Sequence, residues 1–257
     1  MQTAPSTAAR AAACAVPRAV RTSWPVIGVG ETTFRLRVRF RKADRLRYLS
    51  HLEVVHSCER AARRAGLPYA VTQGFSPHMK LAFGPALPVG TAGLGEYLDL
   101  WLRSYVPSEQ AFQALRSASA AGLAPVKVKY IAEREPSLGS ALTIAKYEVV
   151  LEGGEALREG LRGSFSAIIA EGELAVDHKG KQKVFELAST LPKEPDVSTS
   201  GERTTVGLTV RIGERGSLRP EALVTAALTR GALDGRIASV TRTELLVEED
   251  GSWRDPL

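Results

Sequence analysis

Phe34-Arg35-Leu36-Arg37-Val38-Arg39-Phe40 alternates an apolar residue with an arginine at every step, the period of a strand with one face in a core. Phe34, Leu36, Val38 and Phe40 would point inward, leaving Arg35, Arg37 and Arg39 as a row of guanidinium groups on the other face. Downstream, Ser50 followed three places later by Glu53 makes a capping box that starts a helix, and Gly66 ends it after Ala65. Leu52, Val55, Ala62 and Ala65 form its packing stripe. A short strand at Tyr69 to Thr72, a strand at Tyr97 to Leu102, a helix from Pro107 to about Ala120 and an alternating strand at Val126 to Ile131 complete the order β-α-β-β-α-β. That order is a split βαβ, or ferredoxin-like, unit.

The second half repeats it. Tyr147 to Leu151 reads as a strand, Glu155 to Ala170 as a helix, and Leu174 to Asp177 with Lys183 to Leu187 as a hairpin about His178-Lys179-Gly180-Lys181. Ser189 to Glu202 is polar and holds two prolines, so an exposed loop is expected there. Thr205 to Ile212 is a strand, Pro220 to Leu228 a helix with proline at its first position, and Ile237 to Val247 a final strand. The expected fold is α+β with two tandem ferredoxin-like units. A disordered tail covers 1–31, the first unit 32–132, the second 145–248 and a C-terminal tail 249–257. The halves share element order and no obvious sequence repeat.

The net charge of +6 is uneven: between Phe34 and Leu67 ten basic residues face three acidic ones. Such a surplus favours an anionic partner, nucleic acid first, although a solvated charged sheet face reads the same way. Two cysteines, Cys14 and Cys58, give no disulfide framework, zinc site or iron–sulfur ligand set, and a cytoplasmic location follows. The first 30 residues lack a sustained apolar segment, so neither a signal peptide nor a membrane span is expected. His51 and His56 are five apart and point to different helix faces, which argues against a metal site, and no phosphate-binding glycine loop or serine elbow is present. No cofactor is expected.

The loop Gly74 to Gly90 packs Gly, Pro, His and Lys among apolar residues without periodicity, and turns at Pro77, Gly84 and Pro85 would fix His78 and Lys80 in place. His51, in the first turn of the capped helix, and His78 are the candidate catalytic pair, if the loop folds back over the helix start. Each is otherwise a surface or turn histidine bonded to backbone. Arg35, Arg37, Arg39, Arg60, Arg63, Arg64 and Lys80 are the candidate phosphate contacts, with Gln73 beside them and Phe75 as a stacking platform. Glu96 and Asp99 stand against this: if they close salt bridges to the arginine row, its field is neutralised in place.

Arg45-Leu46-Arg47-Tyr48-Leu49-Ser50-His51-Leu52-Glu53, Glu59 to Pro68, Gln73-Gly74-Phe75-Ser76-Pro77-His78 and Gly95-Glu96-Tyr97-Leu98-Asp99 together resemble the bacterial radical SAM-linked family, over residues 34 to 248. The resemblance implies a stand-alone accessory protein of a separately encoded radical SAM protein and points to RNA metabolism. The chain has no Cys-x-x-x-Cys-x-x-Cys cluster, so radical chemistry would belong to the partner. The expected function is binding of RNA, or of an RNA-associated substrate, through a basic face. The alternatives are a metal-independent endoribonuclease-like enzyme using His51 and His78, and a pure protein-interaction module.

Overall fold

The computed structural model describes residues 33–73, 75–178, 180–213 and 216–257. The tail expected over 1–31, with Cys14, lies outside the described residues, as do Gly74 and Lys179.

The alternating stretch forms β1 (Phe34–Lys42). Ser50 opens α1 (His51–Arg64) through a complete capping box, in which the Ser50 hydroxyl accepts from the Glu53 N–H and the Glu53 carboxylate accepts from the Ser50 N–H at 2.8 Å. β2 (Leu81–Phe83), β3 (Ala92–Leu102), α2 (Ser108–Ala118) and β4 (Pro125–Ile131) complete the first half. After the short α3 (Leu138–Ala141) come β5 (Ile144–Glu152), α4 (Glu155–Glu171), β6 (Glu173–His178), β7 (Lys181–Glu186), α5 (Leu187–Thr190), β8 (Asp196–Ser200), β9 (Arg203–Arg211), α6 (Pro220–Arg230), β10 (Arg236–Glu249) and β11 (Ser252–Arg254).

The fold is α+β. One nine-stranded sheet runs β4-β1-β3-β10-β5-β9-β8, with β2 added to β3 and β11 to β10, while β6 and β7 form a separate two-stranded sheet. All pairings within each half are antiparallel; the halves meet where β3 and β10 run parallel, with Ala92 opposite Thr241 and Gly93 opposite Arg242. Period-two alternation builds the cores. Leu36, Val38 and Phe40 of β1 pack with Val54 and Ala62 of α1 and with Ala111 and Leu115 of α2. Tyr147, Val149 and Leu151 of β5 pack with Val206 and Leu208 of β9 beneath Leu161, Phe165, Leu223 and Val224 of α4 and α6. Each fully buried leucine contributes roughly 1.5–3 kcal/mol. At the seam, Gly93 and Gly95 leave no room for a side chain: a Cβ would lie 2.5 Å from the Glu96 carboxylate at Gly93 and 2.9 Å from the Arg39 guanidinium at Gly95. No helix among the described residues is long and apolar enough to cross a membrane.

Four expectations change. Tyr69 to Thr72 is not a strand; Tyr69 and Val71 make isolated bridges to Leu102 and Met79, and the ladder place beside β3 goes to Leu81–Phe83, deeper in the irregular loop. Ser189 to Glu202 is not a plain loop, because Asp196–Ser200 pairs with β9 as a sheet edge, where serine and threonine side chains can face water. The hairpin β6–β7 stands apart from the main sheet. The segment expected as a free tail over 249–257 is built into the fold, through β11 on β10 and through contacts of Asp255 and Pro256 with β1.

The Ser50 backbone N–H, and after it the Ser50 hydroxyl, hold the Glu53 carboxyl below its ordinary range, so this contribution is present above the unfolded carboxyl range and is lost as pH falls through the lowered native value. Ser50→Ala is expected to lower stability at neutral pH by about 1 kcal/mol, read as a lower urea midpoint with an unchanged slope. The difference from wild type should shrink on acidification.

Candidate functional site

The row of arginines is present, but it is not a surface. Arg35 and Arg37 are 5% and 3% exposed, and both clasp Asp99, which is fully buried directly opposite Arg37 on β3. Arg35 reaches Asp99 through Nε and Nη2 at 3.0 and 2.7 Å, and Arg37 through the same pair of atoms at 2.8 and 3.0 Å. A carboxylate between two guanidiniums leaves an excess positive charge in a dry site, and main-chain acceptors answer it. The Glu135 and Pro136 carbonyls accept from Arg35 at 2.6 and 3.0 Å, and the Pro256 carbonyl accepts from Arg37 at 3.2 Å. Arg35 also lies over the Trp101 ring, 5.2 Å from its centroid. Arg39, nearer the rim, pairs with Asp255 at 3.3 Å. The linker after β4 and the C-terminal residues thus cover the face that the sequence pattern leaves open.

The other expected contacts divide by partner. Lys80 pairs with Glu133 at 3.7 Å over the Trp101 ring, and Arg63 with Glu59 at 3.1 Å. Arg60 and Arg64 have no carboxylate partner: Arg60 donates to the Ser57 hydroxyl at 2.9 Å and Arg64 to the Ala118 carbonyl at 2.5 Å, and both are exposed. They line a cavity of about 200 Å³ between α1, Leu46, Leu49 and the turn Ser119–Ala120. Gln73 is exposed, and the Phe75 ring stands fully in solvent.

The two histidines contact different groups. His51 stacks edge-on against Phe83 at 5.6 Å, at one end of the extended run through β2. His78 lies at the other end, its Nδ1 within 3.1 Å of the Thr72 hydroxyl and 3.2 Å of the Ser76 carbonyl. Phe83 lies five residues beyond His78, roughly 16 Å along an extended backbone.

Sequence reasoning missed a second polar centre at the seam. Arg242 of β10, 2% exposed, donates from Nε to Glu96 at 2.9 Å, closes a second bond to the same carboxylate, and reaches the Pro85 carbonyl at 2.5 Å. Burial alone would lower the Arg242 guanidinium, but Glu96 and Tyr147 outweigh it and hold it above its ordinary value. Nearby, burial holds the Lys42 ammonium below its usual value, opposed by Glu96. Above this centre opens a cleft of about 1270 Å³ between the Pro85–Thr91 loop, the β6–β7 hairpin and the start of α6, with Tyr147 and Arg242 in its lining. The available signal was an arginine two residues after the apolar Val240, on the same face of the strand.

Residues 35–220 match the family described as "Uncharacterized protein conserved in bacteria (DUF2344)". No curated protein matches the chain. Among solved structures, a chain in the crystal structure of a Cbf5-Nop10-Gar1 complex is 11% identical with a TM-score of 0.42, covering 82% of this chain, which spans 48% of that one. An unknown protein from Galdieria sulphuraria is 15% identical with a TM-score of 0.24, covering 80% of this chain and 98% of its own. At these TM-scores neither likeness bears on fold or function.

Asp99→Ala leaves two buried guanidiniums without their carboxylate and is expected to cost about 3–5 kcal/mol. Urea denaturation checks this; a loss under about 1 kcal/mol would show that water or backbone already satisfies the pair.

Proposed function

The chain belongs to the bacterial family DUF2344, and on that premise we propose that it is an accessory binding protein of a separately encoded radical SAM enzyme, taking RNA or an RNA-associated substrate on the α1 face. The supporting observation is selective. Of the seven cations that the sequence nominates, Arg60 and Arg64 alone keep exposed guanidiniums without a carboxylate, and they stand one helical turn apart at the mouth of one cavity. Guanidiniums so placed match neighbouring phosphates, and the exposed Phe75 ring offers a stacking surface. Catalysis by a histidine pair gains no support, because His51 and His78 have separate surroundings.

In this reading each half is a split βαβ unit. The orders β4-β1-β3-β2 and β10-β5-β9-β8, with a helix after the first and third strands, support it once the β6–β7 hairpin is taken as an insertion. The sparse cysteines support a cytoplasmic place.

Fluorescence anisotropy of a labelled single-stranded RNA across a salt series tests the proposal. Arg60→Glu with Arg64→Glu is expected to weaken binding at least tenfold and to flatten the slope of log affinity against log salt by about 1.4, the share of two phosphates on a single strand. Binding that ignores both substitutions, or no binding by the wild type at low salt, removes the RNA surface from the proposal.

A further inference from the structure

The cavity beside α1 exists because two facing segments are built from small residues. The chain leaving α2 reads Ser117-Ala118-Ser119-Ala120-Ala121-Gly122, with no side chain larger than serine, and α1 meets it with Ser57 and Ala61, one helical turn apart. Larger side chains would close the space. Leu46, Leu49 and Leu123 supply the rest of an apolar wall. At about 200 Å³ the cavity falls short of the roughly 300–1,000 Å³ that receives a drug-sized molecule, so it suits one ring system.

Charge and hydrogen bonding are both one-sided here. Among the described residues, Arg60 and Arg64 are the charged members of the lining, and no acid is among them. Both acids of α1 are engaged elsewhere, Glu53 with Ser50 and Glu59 with Arg63. On the opposite side α2 stops at Ser119, whose backbone turns extended at φ −90° and ψ 152°. Among the described residues no hydrogen bond engages the Ser119 hydroxyl or the N–H groups of Ser119 and Ala120. An apolar wall with a few unclaimed polar groups and cations at its mouth is the pattern of a ligand site.

We propose that the cavity receives the base of one unpaired nucleotide of the bound RNA, with the Ser119–Ala120 turn at the base edge and the flanking phosphates on Arg60 and Arg64. The inference rests on the RNA reading of the α1 face and adds a selection that two surface guanidiniums cannot make by themselves. A nucleobase presents flat faces to apolar walls and donors and acceptors along its edge, but only when it is out of the duplex stack. The substrate class is therefore single-stranded RNA, or a helix with an extruded nucleotide, and a plain polyanion lacks the group that fills the cavity.

Fluorescence anisotropy on the full chain tests it with two strands of equal length and charge, an oligouridylate and the same ribose-phosphate strand with its bases removed. The base-free strand is expected to bind about tenfold more weakly. The comparison is repeated in a Phe75→Ala chain, which removes stacking on that exposed ring as a source of the preference. Ser119→Trp fills the cavity and should bring the two strands to equal affinity. If that variant does not fold, Ala120→Trp at the exposed rim takes its place, and a 2-aminopurine in the oligouridylate, bound to the Phe75→Ala chain, should lose most of its quenching by acrylamide. Equal binding of the two strands by the wild type, with both weakened by Arg60→Glu and Arg64→Glu, overturns the inference and leaves phosphate binding on α1 in place. A preference that survives the tryptophan, or a 2-aminopurine that stays open to acrylamide, puts the base elsewhere and overturns it too. Failure of the wild type to bind either strand at low salt removes the RNA reading along with the inference.

Discussion

Two arginines sharing one aspartate in a dry sheet face set the terms for the first half of this protein. A guanidinium offers five N–H donors and has no neutral form to retreat to. Asp99 takes four of those donors from Arg35 and Arg37. The rest need acceptors that the sheet, its own carbonyls engaged in the ladder, does not provide. They come from Glu135 and Pro136 in the linker and from Pro256 near the C-terminus. The path of two otherwise irregular segments is therefore dictated by unsatisfied donors on β1, and those segments seal the face that the donors occupy.

The seam between halves follows the same logic with one pair. β3 and β10 share only two parallel register positions, too few to join two domains by backbone bonding alone. The Arg242–Glu96 pair spans them, and Gly95 lets β10 come close, a Cβ there lying 3.3 Å from the Thr243 carbonyl. Buried ion pairs are weak sources of net stability and strong penalties when mismatched. Their service here is to fix one arrangement of the two halves, and the large cleft lies over that fixed point.

Much of the framework was legible because it rests on short-range rules. The alternation of Phe34–Phe40, the Ser50–Glu53 box and the proline opening α6 each state their element within a few residues. β8 was illegible for a physical reason: an edge strand of Asp, Ser and Thr around one buried Val197 carries no apolar period. The arginine row was misleading because alternation cannot say whether a polar face meets water or a lid. Asp99, set among Tyr97, Leu98, Leu100 and Trp101, is the local sign of a lid; that Asp255 and Pro256 would complete it depends on contacts across more than two hundred residues. The α1 arginines came through as exposed cations because nothing distant in sequence claims them with a carboxylate.

That distant closure bears on how the protein is made. A ribosome releases β1 and β3 long before it adds Pro256, and at about 5–20 residues per second the interval is on the order of ten seconds. Through that time the nascent first half holds charged groups whose last acceptors do not yet exist, so its sheet face stays wet and open to polyanions such as ribosomal RNA. Synthesis of Asp255 and Pro256, rather than emergence of the first half, then supplies the groups that dry this face.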